Sequence, residues 1–282
     1  MALKIKMEDR VSTYPGRVVL TPVSGETNTY DMVRADLPIT EGTKINKTLF
    51  DSKADTVTED VTVYVSSSGS DIDGDGSATA PYKTIQVALD SIPKDLSGHT
   101  VTVDIAAGTY NEVLSCEGFT GGKLVIGNST KNIIIRGLKI SACTFVELYV
   151  RYINCTGTFG NALLEVINGS VVSIPGDITI SCNEYNAVGL LASMGSVVYA
   201  AKYKTVTINA SNTAAASATS GGKIIFPTVT GADSFLGLVA TMGGVITYET
   251  HTLTSLLGDN ADTGGSILTG GGTINLVNAS VE

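Results

Sequence analysis

The sequence has no tryptophan and few charged residues, which make up 16% of its 282 positions. Ordinary globular chains carry about 25% charged residues. Acidic residues outnumber basic ones by 27 to 18, and the formal net charge is −9. We therefore expect no nucleic-acid partner, because proteins that bind phosphates present a basic surface. A weakly charged, acidic surface is compatible with a polysaccharide or a cell-surface partner.

Long apolar runs are also missing. No stretch of 18 apolar residues occurs, so we expect no segment that inserts into a membrane. The first residues, MALKIKMEDRVSTYPGR, lack the uninterrupted apolar stretch of a signal peptide. We therefore predict that the protein is not secreted by a signal peptide.

The four cysteines form no CxxC pair and have no histidine nearby. This pattern argues against a zinc site and against a redox motif. Cys116 and Cys143 are 27 residues apart, and so are Cys155 and Cys182. The equal spacing suggests a repeat in which the two members of each pair stack on adjacent turns.

An acidic, glycine-rich stretch, SGSDIDGDGS, raises the question of a calcium site. Asp71, Asp73, Asp75 and Gly76 meet the first four requirements of an EF-hand loop. The twelfth position, where a bidentate glutamate is required, is Tyr82. We therefore expect no ordered calcium and a polar turn made by Asp and Gly, and we assign no metal ligand.

Residues 1–60 form the first of three zones and contain three of the seven prolines. We predict a short strand at 18–20, a turn at 22–27 and a short helix at 45–52. This zone has too little apolar material for a core of its own. We favour a docking segment that becomes ordered against a partner, and a flexible leader is the alternative.

Residues 61–100 form the second zone, which contains a predicted helix over residues 81–92. Its apolar face follows the i, i+3, i+4, i+7 spacing and consists of Ile85, Ala88, Leu89 and Ile92. The segments before and after it, Val61–Val65 and Val101–Ile105, alternate as strands do.

Residues 101–282 form the third zone, a repeat in which a glycine precedes a short β-branched run. The anchors are Gly121, Gly169, Gly195, Gly221, Gly243 and Gly271. Successive gaps are 48, 26, 26, 22 and 28 residues, and 48 corresponds to two units of 24. This length is typical of one coil of a parallel β-helix, whereas a β-propeller needs a period of about 40. We predict an all-β fold of about seven coils, with the helix at 81–92 capping the first coil.

No acidic pair suited to glycan cleavage occurs at one-coil spacing. A glycosidase needs two carboxylates roughly 5–10 Å apart, a distance that residues on stacked strands could meet. The pairs considered are Glu165 with Glu184, Asp233 with Glu249, and Glu147 with Glu165. Arg136 and Arg151 are the only arginines of the repeat, and we predict His99 and His251 as surface or turn residues. We assign no catalytic residue and no cofactor, and the balance is against an enzyme.

Several segments resemble a known family of folds. Tyr64–Ser66, Gly69–Asp71, Ala80–Gln86 and Ala107–Glu112 resemble the start of pectate-lyase-like right-handed β-helix proteins. In that family the acidic-glycine loop connects the first strand to the capping helix, which implies a structural role for the loop. The resemblance thus implies a right-handed parallel β-helix with an N-terminal capping helix.

The N-terminus carries a second resemblance. The N-termini of tail fibre or tail spike proteins of phages and phage-derived particles of Gram-positive gut bacteria are similar to this chain at residues 14–18, 20–23, 30–32, 34–36 and 46–47. This resemblance implies a virion or phage-tail-like particle that is assembled in the bacterial cytoplasm. It implies docking on a baseplate or tail protein through residues 1–60, and a host cell-surface glycan or protein as the receptor.

Tail spikes of this kind are homotrimers, and the composition of residues 186–248 favours the same state. Their charged residues are limited to Lys202, Lys204, Lys223 and Asp233. Small, weakly polar side chains, as in Ala214–Ala218, suit a subunit interface better than open water. We predict a homotrimer packed along 186–248, and a solvated Ser/Thr face is the alternative.

Three functions are compatible with these observations. The first is a structural and receptor-binding component of a phage-type tail, which we favour. The second is a tail spike depolymerase that cleaves host surface polysaccharide at a site between subunits. The third is a free polysaccharide lyase or hydrolase, against which the missing signal peptide and the N-terminal segment count.

Overall fold

The computed structural model describes residues 11–12, 18–22, 30–34, 38–40, 56–155, 162–182, 188–210, 214–234, 236–255, 258–269 and 272–274. The chain divides into two compact units. One unit consists of residues 3–54, and the other of residues 55–282 together with the first two residues.

The described part of the first unit contains two antiparallel strand pairs. Strand β1 (Val11–Ser12) pairs with β4 (Pro38–Thr40), and β2 (Val18–Pro22) pairs with β3 (Tyr30–Arg34). The predicted strand at 18–20 is confirmed as the beginning of β2. The predicted turn after Pro22 and the predicted helix at 45–52 lie outside the described residues.

The second unit is a parallel β-solenoid whose strands stack into three ladders, here named the first, second and third faces. The first face contains β5 (Val61–Val65), β6 (Thr100–Ile105), β8 (Lys123–Gly127), β10 (Val146–Tyr149), β13 (Val171–Ile174), β16 (Val197–Ala200), the beginnings of β19 (Lys223–Ser234) and β21 (Val245–Ser255), and β23 (Ser266–Thr269). The second face contains the beginnings of β7 (Gly108–Glu117) and β9 (Ile133–Ser141), then β11 (Tyr152–Cys155), β14 (Ile178–Cys182), β17 (Thr205–Ala210) and the ends of β19 and β21. The third face contains the ends of β7 and β9, then β12 (Ala162–Ile167), β15 (Val188–Ala192), β18 (Ala214–Ala218), β20 (Leu236–Ala240) and β22 (Asn260–Ala261).

The predicted fold class is confirmed, since the unit is all-β with almost no helix and its turns pair in parallel. The sequence predicts about seven coils, and the structure has about six complete turns. The seventh turn is shorter because β22, its third-face strand, has two residues. The final strand β24 (Gly272–Ile274) pairs antiparallel with β23. The predicted anchor at Gly271 is therefore wrong, and Gly264–Gly265 precedes the last ladder strand instead.

Inward-facing residues of successive turns form stacked columns. On the first face one column runs through Val101, Leu124, Val146, Val172, Val198, Ile224, Ile246 and Ile267. All of these side chains are buried. Such burial contributes about 25 cal/mol per Å² of apolar surface. Because each turn packs only on its neighbours, the stability of the solenoid is a sum over adjacent turns.

The corner that leads into the first face has the same conformation in most turns. Two successive residues there have positive φ, and the second is glycine: Ser97–Gly98, Asn168–Gly169, Met194–Gly195, Ser220–Gly221, Met242–Gly243 and Thr263–Gly264. Glycine is favoured because it adopts a positive φ without steric cost. In several turns a second glycine follows; a Cβ atom on Gly222 would lie 2.1 Å from the carbonyl oxygen of Ala192. The glycines that anchor the sequence repeat therefore mark this corner.

Helix α1 (Ile85–Ser91) packs against β5, β6 and β7 at the beginning of the solenoid. Its predicted apolar face is confirmed, since Ile85, Ala88, Leu89 and Ile92 are buried. The helix is shorter than the predicted span of 81–92 because Thr84 is its N-cap. The backbone of Thr84 is extended, and its hydroxyl accepts a hydrogen bond from the Val87 N–H at 3.4 Å.

Two carboxylates from other parts of the chain bind N–H groups at the beginning of the helix. Asp71 Oδ1 accepts from the N–H groups of Lys83 at 2.9 Å and Thr84 at 3.0 Å. Glu112 on β7 accepts from Ile85 at 3.0 Å and Gln86 at 2.9 Å. The first N–H groups of a helix have no partner within it and carry a partial positive charge. The acidic loop and the first turn of the solenoid thus hold the same helix end.

The register confirms one of the two cysteine predictions. Cys155 on β11 lies directly opposite Cys182 on β14 in the next turn. Cys116 lies opposite Ile140, so the prediction that Cys116 and Cys143 are ladder neighbours is wrong. Cys143 lies in the corner that follows β9, and its Sγ atom is 3.9 Å from that of Cys116.

Candidate interaction surface

The outer side of the first face is largely apolar in the C-terminal half of the solenoid. One outward column consists of Val171, Val197, Lys223, Val245 and Ser266. The other consists of Ser173, Tyr199, Ile225, Thr247 and Leu268. A sheet face that contacts water usually alternates apolar inward residues with polar outward ones. This face departs from that pattern, because most of its outward residues are apolar too.

Exposed apolar side chains lie on this face and along its edges. Met194 and Met242 stand in the leading corner and are 58% and 64% exposed. Ile225 lies on the face itself, and Tyr203, 82% exposed, follows β16. These are four of the six large apolar side chains that are exposed in the described part of the chain. Exposed apolar residues clustered on one face and along its two edges mark an interaction surface.

Charge on the first face is confined to a few positions. Lys123 and Glu147 lie in the N-terminal half and pair with each other, with Nζ 3.4 Å from Oε2. In the two outward columns given above, Lys223 is the one charged residue. The apolar region of the first face is therefore nearly free of charge over four turns of the solenoid.

The second face has the opposite character. Its outward columns are made of threonine: Thr205, Thr228 and Thr250 in one, and Thr179, Thr207, Thr230 and Thr252 in the other. The hydroxyl groups of Thr207 and Thr230 lie 3.1 Å apart and hydrogen-bond. Asn209 accepts a hydrogen bond from the Ala232 N–H at 3.1 Å. The solenoid therefore has a Ser/Thr face, and that face is on a different side from the apolar surface.

The segment Ala214–Ala218 does not contribute an exposed alanine surface. Its four alanines are buried in the core, and Ala216 lies in one inward column with Leu190 and Leu238. The expectation that this segment forms an outer face is wrong. Small side chains are accommodated here because they pack between the larger leucines of the neighbouring turns.

The third face carries an exposed ion pair. Lys139 Nζ lies 3.0 Å from Glu117 Oε1, and Glu165 is opposite Lys139 in the next turn. The hydrogen bond from Lys139 lowers the pKa of Glu117 below its usual value, and the same bond raises the pKa of Lys139. These charges mark a solvated surface, unlike the apolar outer side of the first face.

The carboxylates considered for glycan cleavage do not face one another in the described residues. Glu147 is on the first face, opposite Val125 and Ser173. Glu165 is on the third face, opposite Lys139 and Leu191. Glu249 is exposed on β21, and the side chains of Glu184 and Asp233 lie outside the described residues. Arg136 belongs to β9, and Arg151 pairs with Asp177 at 3.6 Å.

The two histidines differ in position. His99 lies 3.6 Å from Asp60 and is partly exposed, as predicted for a surface residue. His251 lies in the inward column of the second face, after Val206 and Val229. Its ring is 5.0 Å from that of Tyr248, and Nε2 is 3.6 Å from Asp259 Oδ1. The prediction of a surface or turn position is wrong for His251, which is half-buried in an inward column of the last turn.

The acidic loop binds backbone groups of its own region. Besides the two bonds to Asp71, Asp75 accepts from the Ser77 N–H at 2.8 Å and Asp73 from the Ser70 hydroxyl at 3.5 Å. Among the described residues no group of three acidic, histidine or cysteine side chains could hold a metal ion. In the same residues no helix is long and apolar enough to cross a bilayer.

The chain matches none of the protein-family models, curated proteins or solved structures with which we compared it.

Proposed function

We propose that the chain is a structural and receptor-binding component of a phage-type tail, either a tail fibre or a tail spike. Residues 1–60 dock it on a baseplate or tail protein, and the solenoid is presented to the host cell surface. The apolar outer side of the first face is the observation that carries this proposal. A β-solenoid with such a face is suited to a rigid assembly of several chains.

The partner of the apolar surface is a second and a third copy of this chain. The middle strands of the surface, with Val197, Tyr199, Lys223, Ile225, Val245 and Thr247, lie in the weakly charged span 186–248, and the strands at its two ends lie outside that span. The five strands of this surface, spaced about 4.8 Å apart and with outward residues over roughly 16 Å, give an outer area on the order of 350 Å². Met194, Met242 and Tyr203 extend this area at its edges, towards the roughly 800 Å² per partner of a stable interface. Cyclic symmetry closes three such contacts in a homotrimer.

The second face stays in water in such a trimer and is the surface we propose for the host receptor. Threonine hydroxyl groups donate and accept hydrogen bonds, as a neutral glycan requires. The repeat of about 4.8 Å between strands places these groups in regular rows along the solenoid. A host cell-surface glycan is thus the receptor class that we favour, and a surface protein is the alternative.

Electron microscopy of tail particles tests the proposed location. Particles from the bacterium that encodes the chain would be labelled with an antibody raised against the purified protein. We expect label at the host-proximal end of the tail, and no label on particles from a strain in which the gene is deleted. Label absent from wild-type particles, with the protein free in the lysate, would contradict the proposal.

A binding assay separates receptor binding from depolymerase activity. The full chain is incubated with cell envelopes of the host, and both retained protein and released reducing ends are measured. We expect retention without new reducing ends. Release of reducing ends would instead support the depolymerase with an active site between subunits.

A further inference from the structure

One corner of the solenoid differs from the others in its sequence. Gly169, Gly195, Gly221 and Gly243 stand at the corner before the first face and have positive φ. In the preceding turn the carbonyl oxygen of Cys143 accepts a hydrogen bond from the Val171 N–H, as that of Ser170 does from the Val197 N–H, so Cys143 corresponds to Ser170, the residue after the corner glycine. Ala142 before it has a positive φ of 53°, as the corner glycines do. Cys143 thus stands where the next two turns have the buried Ser170 and Ser196, and where the turns after them have Gly222 and Gly244.

The side chain of Cys143 points into the core towards Cys116. Both cysteines are buried, and their Sγ atoms are 3.9 Å apart. Cys143 Sγ also lies 3.4 Å from the carbonyl oxygens of Cys116 and Ser141. The Cys143 N–H donates to the hydroxyl of Ser170 at 3.1 Å, which fixes the backbone of the corner. A disulfide requires an S–S distance of about 2.05 Å, so the two sulfurs have to approach by roughly 1.9 Å.

We propose that Cys116 and Cys143 are an oxidation site and that they form an intramolecular disulfide when the protein meets a peroxide or a small-molecule disulfide. The two thiols lose two protons and two electrons as the S–S bond forms. Hydrogen peroxide takes these up and becomes two molecules of water, whereas glutathione disulfide becomes two molecules of glutathione. The inference does not rest on the proposed tail function.

Two further observations support this reaction at Cys143. Its neighbours Ala142 and Thr144 are exposed, so a local opening of the corner gives an oxidant access to the thiol. The hydrogen bond from the Cys116 thiol lowers the pKa of Cys143 to about 7. The same bond and burial raise the pKa of Cys116, so Cys143 is the thiol that attacks first as a thiolate.

The crosslink would join the end of strand β7 in the first turn to the corner that follows β9 in the second. It closes a loop of 27 residues at the capped end of the solenoid. Crosslinks stabilise mainly by restricting the unfolded chain. From the loop length and the size of the chain we expect the melting temperature to rise by roughly 5–10 °C.

Thiol counting and mass spectrometry test the proposal. Cys155→Ser combined with Cys182→Ser leaves Cys116 and Cys143 as the remaining thiols. The folded variant is treated with glutathione disulfide at pH 8 and at pH 6, alkylated under denaturing conditions and digested. We expect loss of both thiols, a peptide that links residues 116 and 143, faster reaction at pH 8, and reversal of the rise in melting temperature by a dithiol reductant.

The matched control has Cys116→Ser added to the same background. It should form no intramolecular crosslink, and its melting temperature should be unchanged by oxidant. If the variant with serines at 155 and 182 does not fold, the linked peptide is sought in the oxidised wild-type chain. Retention of both free thiols in the folded protein after prolonged oxidation, or a mixed disulfide at Cys143 that never resolves to Cys116, would overturn the proposal.

Discussion

The carboxylate of Asp71 accepts a hydrogen bond from the backbone N–H of Thr84 at 3.0 Å, just before helix α1 begins. The same oxygen accepts from the Lys83 N–H at 2.9 Å. A loop that resembles a calcium site in sequence therefore supplies a carboxylate to the capping helix. In place of a cation, the Asp71 carboxylate binds two backbone N–H groups next to the partly positive N-terminus of the helix.

Asp71→Ala tests this role. Removal of a carboxylate that accepts two N–H bonds should lower the free energy of unfolding by about 1–3 kcal/mol. Asp73→Ala is the control, since Asp73 accepts one long bond from Ser70, and it should change stability by less than about 0.5 kcal/mol. Denaturant unfolding measures both variants, and equal losses would contradict the prediction.

Millimolar calcium should leave the melting temperature of the wild-type chain unchanged. The position that needs a bidentate glutamate is Tyr82, which is buried. A rise of several degrees with calcium that disappears in Asp73→Ala would show that the loop binds the ion.

Glu112→Ala should also weaken the attachment of helix α1 to the first turn of the solenoid. Its two oxygens accept from the Ile85 and Gln86 N–H groups, so we expect a loss of about 1.5–3 kcal/mol. Glu249→Ala removes an exposed carboxylate near the other end of the solenoid and is the control. Hydrogen exchange of the helix amides should become faster in the first variant and stay the same in the second.

Gly222→Ala should be strongly destabilising because its Cβ would lie 2.1 Å from the carbonyl oxygen of Ala192. We expect a loss of more than about 2 kcal/mol, from displacement of the backbone of two turns. Gly176→Ala places its Cβ in open space and should be neutral or stabilising by up to about 1 kcal/mol. Thermal unfolding of the two variants distinguishes a corner that requires glycine from one that tolerates a side chain.

Local patterns predicted much of the solenoid. The strand Val61–Val65 and the apolar helix face at 85–92 could be predicted, because strand alternation and helical spacing are patterns of residues close in sequence. The repeat could be predicted from its glycines, because the corner has a positive φ in each of these turns, at Gly169, Gly195, Gly221 and Gly243. What these patterns specify is the kind of turn and its length.

The register between strands of adjacent turns was harder to predict, because it depends on which residues of the two turns lie opposite each other. Tyr110 pairs with Ile135 and Cys116 with Ile140, so the strands of the first two turns are offset by 24–25 residues, and the 27-residue spacing of Cys116 and Cys143 does not match that offset. The glycine pair at 264–265 and the run at 270–272 look alike locally, and long-range pairing selects the former. The apolar outer side of the first face was not identified from the sequence, since inward and outward columns both contain valine and isoleucine.

Ile225→Asp should separate the proposed trimer into single chains. It places a charge in the middle of the apolar outer side of the first face, where burial against another copy would be costly. Thr228→Asp, on the same strand but on the second face, is the matched control and should leave the mass unchanged. Both variants should retain the circular dichroism spectrum of the unmodified chain, since neither side chain is in the core.

Light scattering of the unmodified full chain at micromolar concentration tests the central claim most directly, namely that the apolar first face is an interface between copies of this chain. A homotrimer gives three times the chain mass of 29.1 kDa. We predict that value, with a fall to the single-chain mass in Ile225→Asp. A mass near 29.1 kDa for the unmodified chain at that concentration would contradict the account.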